Sequence, residues 1–350
     1  MSFNGAQLCS GAGLVEIPID DQLVGGQVDV AIGSPATQYS LIFDPGSSNT
    51  WVGANKAYVQ TSSSQKTSDT VAVTYGSGNF SGDEYNDLAS LNGVEFSQSI
   101  GVAQKIDGFQ STGADGILGL GPTDLTTGTL SPDTQESIPT VTDNLYSQSN
   151  IDSPIITITG TTITFGSATS AQVTYGSITT SSPANTFWGF DASISYGAAS
   201  LQPASAGIID HGTTLLLLAT NSFNNFMSLS GATMDQSTGL PVLSGCTGLD
   251  SLDPIILTFA GVNITIPYGQ YLWPREHNTA IGGSSSDCYL AIGDVGTDFN
   301  SFREGPGLRF RRSTDPNKNG NGINFIMGYN TLKHFIVVLD GVQSSIGMAN

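Results

Sequence analysis

Basic residues are scarce in this chain. Its 350 residues hold 10 Lys and Arg against 29 Asp and Glu, for a formal net charge of -19 at pH 7. Such a surface excludes nucleic acid as a partner, because phosphate binding needs clustered cations that displace counterions. Charged residues of both signs make up only 11%. Few carboxylate–ammonium pairs therefore stand to be lost in acid, which suits an acid-tolerant protein. The 3 cysteines, Cys9, Cys246 and Cys288, are too few for a disulfide-stapled small domain and lack zinc-ligand spacing. No metal or other cofactor is expected. No apolar run approaches a membrane span; the longest, 215–219, is a buried-strand candidate, so no membrane partner is expected either. Residues 1–13 show no basic start followed by an apolar stretch, so no signal peptide is visible and an intracellular location stays open. Long helical periodicity is scarce too.

What the chain does hold is 43 Gly and many Ser and Thr set among short Val/Ile/Thr runs, the pattern of a turn-rich all-β protein. Residues 24–32 and 39–43 predict strands divided by a Pro-containing turn, and the Ser/Thr-rich stretch 61–70 predicts a surface loop. Strand alternation resumes at 71–75, reaches a hairpin tip at Tyr75-Gly76-Ser77-Gly78 and returns at 80–85. Further strands are expected at 95–103, 155–165, 187–196, 255–266, 288–293 and 335–339, with strand, turn and strand over 206–218. Short helices are expected within 139–148, 221–229 and 330–334. The linker-like stretch 178–186 suggests two units, 1–180 and 181–350, and the length fits two domains.

Two internal echoes carry the functional signal. Phe43-Asp44-Pro45-Gly46-Ser47-Ser48 and Ile209-Asp210-His211-Gly212-Thr213-Thr214 share the form apolar, Asp, x, Gly, hydroxyl, hydroxyl. Gly116-Ile117-Leu118-Gly119 follows the first and Phe325-Ile326-Met327-Gly328 follows the second. A single Asp-x-Gly is an ordinary turn, since Asp and Gly are turn formers. Two copies about a domain length apart, each with its own apolar-apolar-Gly partner, indicate a duplicated lobe.

This constellation resembles the pepsin-like aspartic peptidases, and in particular the polyporopepsin-type secreted enzymes of basidiomycete fungi. The similarity runs from about residue 24 to 347. It rests on Asp44 to Trp51, on Tyr75-Gly76-Ser77-Gly78, on Asp210-His211-Gly212-Thr213-Thr214, and on residues 271–274 and Ile281-Gly282-Gly283. The resemblance implies a bilobal acid-protease fold with a cleft between two related β-lobes. It implies an endopeptidase that prefers apolar side chains around the cut, in which Asp44 and Asp210 share a proton and activate a water. Ser47 and Thr213 would hold the outer carboxylate oxygens, and Gly46 and Gly212 would let the two loops approach. Tyr75, Gly76 and Ser77 would form a flap over the cleft with Trp51 beneath it. A peptide or small-molecule ligand in the cleft, secretion and a monomeric state follow from the same likeness.

In active members of the family the residue after each Asp is almost always Thr or Ser, whose hydroxyl bonds the opposite loop. Here those positions are Pro45 and His211. Pro has no hydroxyl and no N–H, so one side of that lock cannot form. An imidazole nitrogen of His211 could accept in place of a hydroxyl, or His211 could be a packed neutral ring bonded to a carbonyl. A charged His211 would favour both carboxylates ionised and undo the shared proton.

The resemblance further implies a disulfide between Cys246 and Cys288, with Cys9 left over. Asn79-Phe80-Ser81 and Asn263-Ile264-Thr265 match the glycosylation pattern. Arg303, Arg309, Arg311, Arg312 and Lys318 form a basic stretch, read first as a solvated loop and otherwise as a contact to an acidic ligand. Three functions compete: an aspartic endopeptidase, an enzyme of the same fold doing acid–base chemistry on a small molecule with Asp44, Asp210 and His211, and a non-catalytic binding pseudo-enzyme.

Overall fold

The structure is a computed structural model that describes residues 13–22, 25–76, 78–109, 112–295 and 322–350. Cys9, Ser77 and the basic residues Arg303 to Lys318 lie outside the described residues. The described chain is mostly β-strand, as the Gly-, Ser- and Thr-rich composition leads one to expect.

Three sheets organise it, with a small three-stranded sheet at Thr233–Met234, Pro241–Leu243 and Cys288–Tyr289. A nine-stranded sheet takes all its strands from the span between Asp20 and Ser131, and a seven-stranded sheet takes all of its own from the span between Gly189 and Gly328. The third, six-stranded, draws from both ends of the chain. Ile155–Ile158 pairs with Ile336–Asp340, and Val15–Pro18 pairs with Thr162–Phe165. The chain therefore returns from its second half to close a sheet begun in its first. A buried bond adds to this tie: the Trp188 indole N–H donates to the Leu120 carbonyl at 2.9 Å.

The sequence echoes become a repeated strand pattern. Thr37–Asp44 runs parallel to Gly116–Gly119, with Asp44 opposite Gly119; Ala199–Asp210 runs parallel to Phe325–Gly328, with Asp210 opposite Gly328. After each aspartate loop a short strand returns antiparallel on that same apolar-apolar-Gly partner: Trp51–Val52 in the first half and Leu216–Leu218 in the second. All four partner residues are buried in each copy, so both faces are covered, and the runs read as continuous apolar sequence rather than alternation.

Four expectations need correction, the first being 288–293, which is two short strands, Cys288–Tyr289 and Ile292–Asp294, in different sheets. The stretch 61–70 is a loop only at its start, because Gln65–Tyr75 is one strand with a register shift between Lys66 and Thr70. The Ser- and Thr-rich composition of the segment made it read as loop, and pairing with the neighbouring strand overrode that local signal. The runs 155–165 and 255–266 are hairpins rather than single strands, Ile155–Ile158 with Thr162–Phe165 and Ile255–Phe259 with Val262–Ile266. The second turns at Ala260 and Gly261, whose φ values of 49° and 79° match the twist of a tight hairpin.

The helices are short. Val141–Ser147 begins with a capping box in which the Thr140 hydroxyl accepts from the Asp143 N–H and the Asp143 carboxylate accepts from the Thr140 N–H. Thr220–Ser230 ends at Gly231, which adopts φ 70° as a left-handed cap. Tyr329–Leu332 follows directly on the second apolar-apolar-Gly strand.

Candidate active site

Each aspartate sits where a buried strand ends in a tight turn. The Gly46 N–H donates to Asp44 Oδ1 at 2.8 Å, and the Ser47 hydroxyl donates to Asp44 Oδ2 at 2.5 Å. The second loop repeats this: the Gly212 N–H donates to Asp210 Oδ1 at 3.0 Å and the Thr213 hydroxyl to Asp210 Oδ2 at 2.8 Å. Asp44 is 5% exposed and Asp210 1% exposed. Charge-assisted bonds of this kind keep a carboxylate in one orientation.

The two loops meet. A Cβ added at Gly46 would lie 2.4 Å from Asp210 Oδ1, and one added at Gly212 would lie 2.6 Å from Asp44 Oδ1. Each carboxylate therefore rests against the glycine of the opposite loop, while that glycine's own N–H holds its own aspartate. No side chain fits at either position. Two residues from opposite halves of the chain thus bring their carboxylates to one place. Such a pair can hold one proton between them, take a proton with one carboxylate and give one with the other.

Tyr75 and Trp51 form a neighbouring group. The Trp51 indole N–H donates to the Tyr75 hydroxyl at 2.9 Å, and Trp51 stacks on Phe80 with ring centroids 4.4 Å apart. Phe109 stands edge-on to both Trp51 and Tyr75, at 5.1 and 5.3 Å. Gly76 and Gly78 border the hairpin tip; a Cβ at Gly78 would meet the Asp107 carbonyl oxygen at 2.0 Å, so the tip lies tight against the strand Val94–Asp107. Phe80 and Phe109 were not singled out in the sequence. Nothing local links Phe109 to Tyr75; they meet because Val94–Asp107 runs back along the hairpin.

Pro45 and His211 are both buried. The His211 ring is 1% exposed, and neither ring nitrogen has a hydrogen-bond partner among the described residues. Burial pushes its pKa down to about 3, although the charge of Asp44 pulls the other way. The ring is therefore neutral except in strong acid. It neither accepts in place of the missing hydroxyl nor bonds a carbonyl, and it places no cation beside the aspartates in moderate acid. Its neighbours are aromatic: Phe43 at 5.0 Å and Tyr329 at 6.3 Å between ring centroids. Tyr329 escaped the sequence reading, although it stands directly after the echo that ends at Gly328. Its hydroxyl donates to Asp21 Oδ1 at 2.9 Å, and the Lys333 ammonium reaches Asp21 Oδ2 at 3.2 Å.

Cys246 and Cys288 are joined in a disulfide. Asn79 and Asn263 are both exposed. Among the described residues no group of three or more His, Cys, Asp or Glu is gathered as a metal site, and no helix is long and apolar enough to cross a membrane.

Comparison with known proteins agrees with this geometry. The family model described as eukaryotic aspartyl protease matches residues 27–350. Polyporopepsin of Irpex lacteus is 43% identical over 349 residues, covering 95% of this chain and 96% of the relative. Syncephapepsin of Syncephalastrum racemosum is 30% identical over 314 residues, covering 82% of this chain and 76% of the relative. The crystal structure of the aspartic proteinase from Irpex lacteus superposes with a TM-score of 0.87 at 43% identity, covering 97% of both chains. The chain belongs to the eukaryotic aspartyl protease family and has its bilobal, pepsin-like fold.

Proposed function

We propose that this protein is an acid endopeptidase that hydrolyses peptide bonds with a water held between Asp44 and Asp210. The observation that carries the reading is the reciprocal seating of each carboxylate on the opposite loop's glycine. As in aspartic proteases generally, two carboxylates this close share one proton. The ionised member takes a proton from the water as it attacks the scissile carbonyl, and the protonated member polarises that carbonyl and then supplies the proton for the leaving amine. No bond from protein to substrate is needed.

The Ser47 and Thr213 hydroxyls hold the outer oxygens, so both carboxylates stay aimed at the water without reorganising. Tyr75 and Gly76 belong to the flap, braced by the Trp51 indole, and a peptide lies in the cleft below it. The cleft separates lobes 1–180 and 181–350, and the protein acts as a secreted monomer. Likeness to polyporopepsin and syncephapepsin supports this reading. A repurposed enzyme that uses His211 beside Asp44 and Asp210 for acid–base work is disfavoured, because burial lowers the imidazole pKa to about 3 and leaves it a weak base.

The test is digestion of a denatured protein across acidic pH, with and without a statine-containing peptide inhibitor. Digestion that peaks in acid and stops with inhibitor supports the assignment. Folded protein that binds the inhibitor yet cuts nothing would overturn it in favour of a binding role.

A further inference from the structure

We infer that His211, together with Phe43 and Tyr329, is an aromatic spacer that sets the separation of the two aspartate loops in place of a hydroxyl pair at positions 45 and 211. The inference rests on the peptidase reading and adds a positioning residue to it.

The three rings come from three different segments, each attached to the site. Phe43 directly precedes Asp44, and His211 directly follows Asp210. Tyr329 follows Gly328, the residue opposite Asp210, and its N–H donates to the Thr213 carbonyl at 2.7 Å. The centroids form a triangle with sides of 5.0, 6.3 and 6.3 Å. Contact from ring to ring thus runs from the first aspartate strand to the second aspartate loop.

Both outer rings are fixed. Phe43 is wedged over Gly26, where an added Cβ would come within 2.3 Å of Phe43 Cε1. Tyr329 is tethered by its hydroxyl to Asp21, on the first-half strand Asp20–Gln22. His211 fills the space between them and spends no hydrogen bond there. An imidazole buried without partners is disfavoured on polarity alone, so its shape is what the position uses. Pro45 fits the same account, since its ring holds the opposite turn at a fixed φ without any bond across.

A spacer of this chemistry has an acid limit. The titratable and charged groups around the ring are Asp44, Asp210 and Tyr329, with Asp21 and Lys333 beyond the Tyr329 hydroxyl. Burial outweighs Asp44 and keeps the ring neutral down to about pH 3. Because the folded pKa lies below the ordinary 6.5, the neutral-ring contribution is complete above about pH 6.5 and is lost as pH falls towards 3. In stronger acid the ring would take up a charge that its buried site does not solvate, and the spacer would lose stability.

The test measures kcat and KM on a chromogenic peptide, as a function of pH, for the wild type, His211→Phe, His211→Thr and Pro45→Thr with His211→Thr. His211→Thr leaves the triangle unfilled, and kcat should fall about 100-fold with KM little changed, since small misplacements of reacting groups carry that penalty. His211→Phe conserves the shape, so it should recover most of that loss and extend the acid limb to lower pH. The double variant exchanges spacer for hydroxyl pair and should recover at least about ten-fold over His211→Thr, a coupling that independent sites do not show. His211→Thr as active as wild type would overturn the inference. So would folded His211→Phe as impaired as His211→Thr, because the nitrogens would then matter. If the wild type cuts no peptide, the peptidase reading fails separately. The spacer is then judged by affinity for the statine-containing inhibitor, where wild type and His211→Phe should match and His211→Thr should bind at least about ten-fold more weakly; equal affinity for all three would overturn it.

Discussion

Asp44 is held by the Gly46 N–H and the Ser47 hydroxyl, and Asp210 by the Gly212 N–H and the Thr213 hydroxyl, so the two halves present the same carboxylate in the same cradle. Around those cradles the halves differ. The first carries the long hairpin with its Trp51, Tyr75, Phe80 and Phe109 cluster, and it buries Asp69, Glu84 and Asp87 in its sheet. The second has no matching flap among the described residues and is braced by the Cys246–Cys288 disulfide. The hydrogen bonds that hold each carboxylate are the same in both halves. The means of stabilising each half differ, because many packing solutions support one loop geometry.

The sharpest way to break the functional equivalence is to remove one carboxylate. Asp44→Asn and Asp210→Asn should each lower acid proteolysis by about 1,000-fold or more, within the range that general acid–base groups supply. Circular dichroism should show both variants folded. A large loss from one and none from the other would mean the halves are not chemical partners.

Next in size is the difference in bracing. Replacing Cys246 and Cys288 by Ser opens a loop of 42 residues, which is worth about 4 kcal/mol in the chain-entropy treatment. Chemical unfolding should show this loss in the second half, while the flap-bearing half keeps its hydrogen-exchange protection. Loss of protection spread equally through both halves would mean they unfold as one unit.

Buried acids in the first half give it a pH response of its own. Glu84 is 3% exposed, and burial, with a smaller push from the charge of Asp69, raises its pKa to about 8. Its folded pKa lies above the unfolded value, so its neutral form stabilises fully below about pH 4.5, and that contribution is lost as pH rises through about 8. Glu84→Gln should therefore raise the Tm near neutral pH, by a few kcal/mol equivalent at most, and change little in acid. A wild-type Tm that does not fall between weak acid and neutrality would refute the assignment.

Asp87 has the opposite sign. Burial alone would raise its pKa, but the hydroxyls of Ser63, Tyr58 and Ser64 and the Leu88 N–H together hold it below the ordinary 3.8. Its contribution is present above about pH 4 and is lost in stronger acid. Asp87→Asn leaves one of these donors poorly met, and chemical unfolding at pH 6 should show a loss of about 1–3 kcal/mol. Equal stability for variant and wild type at that pH would show that the network anchoring the 61–64 turn is dispensable.

Much of the site was legible in the chain itself. Asp44 and Asp210 stood out because the same six-residue pattern recurs, and a short apolar run stands directly before each. Trp51 and Tyr75 stood out through the motifs that hold them. The hairpins at 155–165 and 255–266 were hidden because their turns, at Gly160 and at Ala260-Gly261, are too short to interrupt an apolar pattern. His211 could be seen to break the pattern, but three incompatible roles were open to it. An imidazole can accept, donate or simply pack, and only its neighbours select among these.

By itself, then, the chain determined the all-β character, the duplication and the two loops that carry carboxylates. These depend on local alternation, on turn chemistry and on a repeated motif, all of which are written in short stretches of residues. Tertiary structure decided what those loops meet. The seating of Asp44 on Gly212 and Asp210 on Gly46, the reach of Phe109 to Tyr75, and the enclosure of His211 by Phe43 and Tyr329 join segments far apart in sequence. Burial sets the protonation of His211 and Glu84, and burial is a property of what surrounds a side chain once the sheets have closed around it.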